Sequence, residues 1–186
     1  MSEELEVLKT VTQRLNEAGI RYIVSGSIAA NYYTVPRMTR DIDIVIELEQ
    51  SDIDRFVGLF QRDFYIDGEM VRREVLRQGI FNIIQNQYVV KVDFIIKKSS
   101  AYQQTEFARR KQVLIEASPM WFVSPEDLVI SKLIWAKDSH SESQLRDVKN
   151  LIETVDDLDL KYIDNWVEEL SLEQIYKEAT NERHSS

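Results

Sequence analysis

The most constraining stretch of this 186-residue chain is Asp41-Ile42-Asp43-Ile44-Val45-Ile46. Acidic and apolar residues alternate, which is the period of a β-strand with one face in a core. On such a strand Asp41 and Asp43 leave from one face, while Ile42, Ile44 and Ile46 leave from the other. The chain must bury the isoleucine row and keep two neighbouring carboxylates on the opposite side. Like charges this close cost free energy unless a cation lies between them, and a hard divalent ion is the obvious remedy. A second β-rich run, Tyr88 to Ile96, repeats the pattern: Val92, Phe94 and Ile96 share one face, and Asp93 shares the other with Lys91 and Ile95. Asp93 can complete a three-carboxylate cluster with oxygen donors that suit magnesium or manganese rather than zinc. Taken singly, each of these acids reads as an ordinary solvated residue on an outer strand face.

The surrounding elements place these strands in a mixed α/β chain. Leu5, Leu8, Val11 and Leu15 recur at helical spacing ahead of Gly19, predicting a helix over 3–18. A short strand over 21–24 runs through Ser25-Gly26-Ser27 into a helix over 28–33, and 34–40 reads as a loop around Pro36. Ser51 is placed to cap a helix over 52–62, and a further helix is expected over 68–77. Residues 80–85 and 88–96 form a hairpin about Asn86-Gln87. A helix over 102–110 precedes two edge strands, 111–116 and 121–123, on either side of Pro119. Ser124-Pro125-Glu126-Asp127 is a helix start, with a cap, a proline at the first helical position and an acid at the third. That helix should reach about Lys137, and helices near 144–154, 160–169 and from 171 follow. The expected architecture is an α/β (α+β) mixed sheet backed by helices, with a helical region after it. Residues 1–123 form the core, 124–179 pack on it as one unit, and 180–186 form a flexible tail.

Composition narrows the chemistry. Without cysteine there is no disulfide, thiolate nucleophile or cysteine-held zinc. The apolar runs are too short to span a bilayer and the acidic N-terminus does not resemble an export signal, so no membrane partner and a cytoplasmic location are expected. A formal net charge of -9 argues against a surface built broadly for nucleic acid and favours cationic small molecules by long-range attraction. Arg72, Arg73 and Arg77, and Arg109, Arg110 and Lys111, read as solvated surface groups. His140 and His184 also read as surface residues. Trp121, Trp135 and Trp166 are expected in the core, and Tyr32 and Tyr33 in helix packing.

What raises the acids above solvated residues is Gly26-Ser27, standing between a strand and a helix upstream of them. Glycine lets the backbone turn tightly and approach a phosphate, while helix-start amides and the Ser27 hydroxyl can donate to phosphate oxygens. Together, Gly26-Ser27, Asp41-x-Asp43 and Asp93, each in the right kind of element and order, resemble the signature of the nucleotidyltransferase superfamily. The likeness is nearest to its minimal bacterial members and the AbiEii-type toxin-like branch, through Thr39-Arg40-Asp41-Ile42-Asp43-Ile44-Val45. It covers residues 20–96, with a weaker similarity through Ser124 to Leu128, Lys132 and Leu145 to Val148.

The resemblance implies a nucleotidyltransferase fold in which Gly26 and Ser27 bind a nucleoside triphosphate such as ATP and Asp41, Asp43 and Asp93 hold magnesium or manganese. Asp93 doubles as a general base, and Lys132 is a candidate for triphosphate contact. The implied reaction moves a nucleoside monophosphate from the triphosphate to an acceptor hydroxyl and releases pyrophosphate. The acceptor could be a small molecule, a protein or an RNA end, and a protein partner or a second copy of the chain would complete the acceptor site. The alternative is a non-catalytic nucleotide-binding or toxin-antitoxin interaction module that keeps the fold. For Lys132, Arg37 and Arg40 a surface role weighs as much as a phosphate contact, and Arg146-Asp147 reads as an internal pair.

Overall fold

In the computed structural model, which describes residues 2–181, the alternating run is strand β2 (Asp41–Ile46), with Ile42, Ile44 and Ile46 buried and Asp41 exposed. It lies at the centre of a mixed sheet. The other strands are β1 (Tyr22–Ser25), β3 (Phe64–Tyr65), β4 (Ile80–Gln85), β5 (Lys91–Ile96), β6 (Lys111–Ile115) and β7 (Ser118–Phe122). Their order is β3-β4-β5-β2-β1-β7-β6 among the described residues. β2 pairs parallel with β5 and antiparallel with β1, so both acidic strands are central neighbours. The helices are α1 (Glu3–Glu17), α2 (Gly26–Tyr33), α3 (Ile53–Phe60), α4 (Gly68–Arg77), α5 (Ala101–Ala108), α6 (Pro125–Ser139), α7 (Glu142–Thr154), α8 (Leu160–Glu169) and α9 (Glu173–Asn181).

The chain divides into two compact units. One runs up to Ile28 and includes Met38–Phe122; the other is Ala29–Arg37 with the described residues from Val123 onward. The first unit owes its core to the apolar faces of β2, β4 and β5 and to α3. Phe56 meets Phe94 and Phe81 edge-on, with ring centroids 5.2 and 5.5 Å apart, and Phe81 stacks on Phe94 at 5.3 Å. Such pairs add about 0.5–1.5 kcal/mol each beyond the area they bury. This aromatic block anchors β5, the strand that carries Asp93. Arg14 ties α1 to the end of α3 through paired hydrogen bonds of 2.7 Å to the two carboxylate oxygens of Asp63. In the second unit α6 packs against α7, α8 and α9. Its start follows the expected chemistry: the Ser124 hydroxyl accepts from the Asp127 amide at 3.1 Å and donates to the Asp127 carboxylate at 2.6 Å. Tyr162 of α8 donates to the other oxygen of that carboxylate at 2.6 Å, which satisfies an acid that is fully buried.

Several local expectations shift. Ser51 does not cap a helix; it lies in a 3-10 turn at Gln50–Asp52, and α3 starts only at Ile53. The hairpin loop is wider than Asn86-Gln87, because the Gln85 side chain accepts from the amides of Gln87 at 2.8 Å and Tyr88 at 2.7 Å. Tyr88 to Val90 therefore stay outside the ladder, with Val89 at φ 56, and β5 starts at Lys91. Of the two expected edge strands only β6 is an edge. β7 lies between β6 and β1, meeting β1 at Val24↔Phe122, so the missing N–H of Pro119 falls clear of that contact. The two-residue strand β3 is too short to show a period. Trp135 is not a core residue: its side of α6 is open and it is 47% exposed. Tyr32 is also exposed, whereas Tyr33 donates to the Val123 carbonyl at 2.7 Å. Thr180 and Asn181 belong to α9, while residues 182–186 of the expected tail, His184 among them, lie outside the described residues. No helix among the described residues is long and apolar enough to cross a membrane.

Candidate active site

Strand register decides which polar side chains meet. In the parallel β2–β5 pair Asp43 lies directly opposite Asp93, and Asp41 opposite Lys91. The same transverse row continues to Ser25 on β1, opposite Asp43, and to Asn82 on β4, opposite Asp93. Residues directly opposite on neighbouring strands share a face, so Asn82, Asp93, Asp43 and Ser25 line one side of the sheet. Behind them the isoleucines, Val92 and Phe94 seal the apolar face. Asp41, Asp43 and Asp93 are thus brought together on one patch of the first unit.

Gly26 belongs to the same patch for a steric reason. Its φ is +62°, a conformation costly for other residues, and a Cβ built there would stand 1.9 Å from Asp43 Oδ2 and 2.8 Å from Asp43 Cβ. Only a glycine lets the Asp43 carboxylate lie against the turn that opens α2. Ser27 follows in the first helical turn, half-buried, where the helix presents its amides.

Lys91 occupies the middle of the acidic patch. Its ammonium donates to Asp93 Oδ2 at 2.8 Å and lies 3.7 Å from Asp41 Oδ1. The hydrogen bond to Asp93 raises the Lys91 ammonium above the usual lysine value; burial works against it, and the charges of Asp93, Asp41 and Asp43 add to the rise. Among the described residues no group of three or more acidic or histidine side chains is set to hold a metal ion. The donor set nevertheless has the chemistry for one. It offers hard oxygen ligands from two adjacent strands, a glycine that leaves room for one of them, and an arrangement already built around a cation. Lys91, Asn82 and Ser25 carry no role in the sequence reading. The signal for Lys91 was its place two residues before Asp93, hence on the same face; its position opposite Asp41 needed the register.

Lys132 lies in the second unit, buried on α6. Its ammonium donates to Asp147 Oδ2 at 2.8 Å and to Gln144 Oε1 at 3.0 Å, both on α7. Arg37 donates to the same carboxylate, from Nε at 3.2 Å and from Nη2 at 3.0 Å. Asp147 thus pairs with Arg37 and Lys132 from distant parts of the chain instead of its neighbour Arg146. Burial is the largest effect and works to raise the Asp147 value, but the hydrogen bonds and charges of Arg37 and Lys132 together hold the carboxyl below the usual range. Arg37 is fixed further by Asn31, which exchanges hydrogen bonds with its backbone at 2.7 and 3.0 Å. Arg40 is exposed at the entrance to β2. Arg72 pairs with Asp54 and Glu69 on the surface, while the exposed Arg73 and Arg77 pair with the buried Glu74.

Solved structures share this architecture. An antigenic nucleotidyltransferase-like protein from Paracoccidioides brasiliensis is 19% identical, with 95% of this chain and 93% of that one covered at a TM-score of 0.56. The antibiotic-resistance factor ANT(2'')-Ia is 13% identical, with 96% of each chain covered and a TM-score of 0.58. The lincosamide antibiotic adenylyltransferase LnuA is 11% identical, with 83% of this chain and 98% of that one covered at 0.53. At these identities the likeness is one of fold. No curated protein sequence matches the chain. A family model described as nucleotidyl transferase of unknown function (DUF2204) matches residues 4–180, without singling out the toxin-like branch. A match over nearly the entire chain settles the family: the protein belongs to these nucleotidyl transferases.

Proposed function

We propose that the protein transfers a nucleoside monophosphate from a nucleoside triphosphate to an acceptor hydroxyl, with Asp41, Asp43 and Asp93 holding magnesium. The observation that carries this reading is the register that sets Asp43 opposite Asp93 with Gly26 packed against Asp43. In this reading the amides opening α2 and the Ser27 hydroxyl hold the triphosphate. The acceptor oxygen attacks the α-phosphorus as the bond to the bridging oxygen breaks, and pyrophosphate leaves. Asp93 takes the hydroxyl proton. Bound magnesium would supply charge stabilisation to the phosphate oxygens. Lys132 would reach a phosphate only by giving up Asp147, so its part in this reading is to hold Asp147 and, through it, Arg37.

The acceptor reading leans on charge. A surface at -9 favours a cationic small molecule over an RNA end. Among solved proteins of the same fold, LnuA is lincomycin-bound and ANT(2'')-Ia is in complex with adenylyl-2''-tobramycin. A protein partner or second copy completing the acceptor site, and a cytoplasmic setting, belong to the same proposal. The second reading, a non-catalytic nucleotide-binding or toxin-antitoxin module, draws on the ammonium of Lys91 lying among the acids.

The test is calorimetric titration of ATP, GTP, CTP and UTP into the protein, with magnesium and with chelator. Magnesium-dependent binding that disappears in the Asp41→Asn, Asp43→Asn double variant is the expected result. A folded double variant that binds and transfers as well as the parent would sink the metal assignment. No triphosphate binding by the folded parent would favour a non-catalytic interaction module or a site completed only by a partner.

A further inference from the structure

We infer that Lys91 is the built-in counter-ion of the carboxylate patch: its ammonium holds Asp93 and Asp41 while no divalent ion is bound, and the ion enters by displacing it. The inference rests on the proposed metal role of the aspartates and deepens it. Three observations carry it.

The first is charge. Asp43 and Asp93 are directly opposite on adjacent parallel strands, a like-charge pairing that is destabilising unless compensated. Lys91 is a cation that reaches the cluster from the same strand face, donating to Asp93 at 2.8 Å and lying 3.7 Å from Asp41. The second is position. Lys91 sits on the same strand face as Asp93 and opposite Asp41, so its ammonium takes the ground that an ion shared by these two acids would occupy. A lysine ammonium and a divalent ion drawn to the same carboxylates repel one another and compete for them. The third is exchangeability. The Lys91 side chain is 40% exposed and Asp93 is 20% exposed, so the pair is open to solvent on a flexible stem and only weakly held.

The consequence is a site that keeps its acids near each other without metal but binds metal more weakly than three aspartates alone would. Lys91 thus sets the affinity for the ion and lies outside the set of its ligands.

The experiment is titration of manganese into the full chain and into Lys91→Met, with the Asp41→Asn, Asp43→Asn variant as control. Removing a positive charge from the edge of a divalent-ion site should tighten binding by about tenfold or more in Lys91→Met. Equal or weaker binding in that variant, with the parent binding manganese, overturns the counter-ion inference and leaves the carboxylate site standing. No manganese binding by either protein overturns both. Should Lys91→Met fail to fold, the parent alone decides the matter through acetylation of its lysines read by mass spectrometry. Lys91 should react faster with manganese than with chelator, while a rate unchanged by manganese rejects displacement.

Discussion

Two lysine–aspartate pairs, with the same 2.8 Å separation, do opposite things in the two units. Lys91–Asp93 sits on the open face of the sheet, 40% and 20% exposed, while Lys132–Asp147 sits between α6 and α7, 3% and 5% exposed. Distance therefore says little about what an ion pair is for. In solvent the pair gains little and can be exchanged, whereas under burial each charge depends on the other because neither has water to return to. The sheet leaves its charged groups open to solvent. The helical unit uses its charges to fix Arg37 and the α6–α7 packing.

The contrast breaks most visibly at Asp147. Asp147→Ala leaves the Lys132 ammonium buried without its carboxylate and should cost about 3–5 kcal/mol in urea unfolding, since removing one partner of a buried pair strands the other. A loss under about 1 kcal/mol would mean that the helical pair is as dispensable as a surface one. Acid tests the same interaction without mutation. Because the folded Asp147 carboxyl is held below its usual range, its contribution is present at neutral pH. It should disappear as pH falls from the ordinary carboxylate value through the folded one, a loss that thermal melts at descending pH would record and that Asp147→Ala should lack.

On the sheet side the largest effect is expected at Gly26. Gly26→Ala combines a positive φ with a clash against Asp43, so about 1–2 kcal/mol of stability and much of the metal-dependent triphosphate binding should be lost together. Binding preserved in a destabilised variant would separate the turn from the site. Lys91→Met closes the series: its pair is exposed, and urea unfolding should change by less than about 1 kcal/mol. A loss like that of Asp147→Ala would erase the difference between the two pairs.

Much of this was legible in local pattern. The alternation at 41–46 announced a half-buried strand with Asp41 and Asp43 together, and Ser124-Pro125 announced α6, because periodicity and capping act within a few residues. The hairpin loop and the 3-10 turn at Gln50–Asp52 were not legible, since the Gln85 amide side chain and the order of short turns compete on energies too small for composition to rank. Trp135 failed differently: a large apolar residue on a helix is usually buried, but which face is covered depends on where the neighbouring helices lie.

The sequence by itself determined which residues are charged, which faces they share within each strand, and the order glycine turn, acid pair, third acid that carries the resemblance to nucleotidyltransferases. Tertiary structure decided what those charges meet. Only the parallel register of β2 and β5 sets Lys91 opposite Asp41, and only the packing of the second unit brings Arg37 to Asp147 across 110 residues of chain. Periodicity is fixed by backbone geometry over a handful of residues. Pairing partners are fixed by which distant surfaces bury each other, and that is a property of the whole fold.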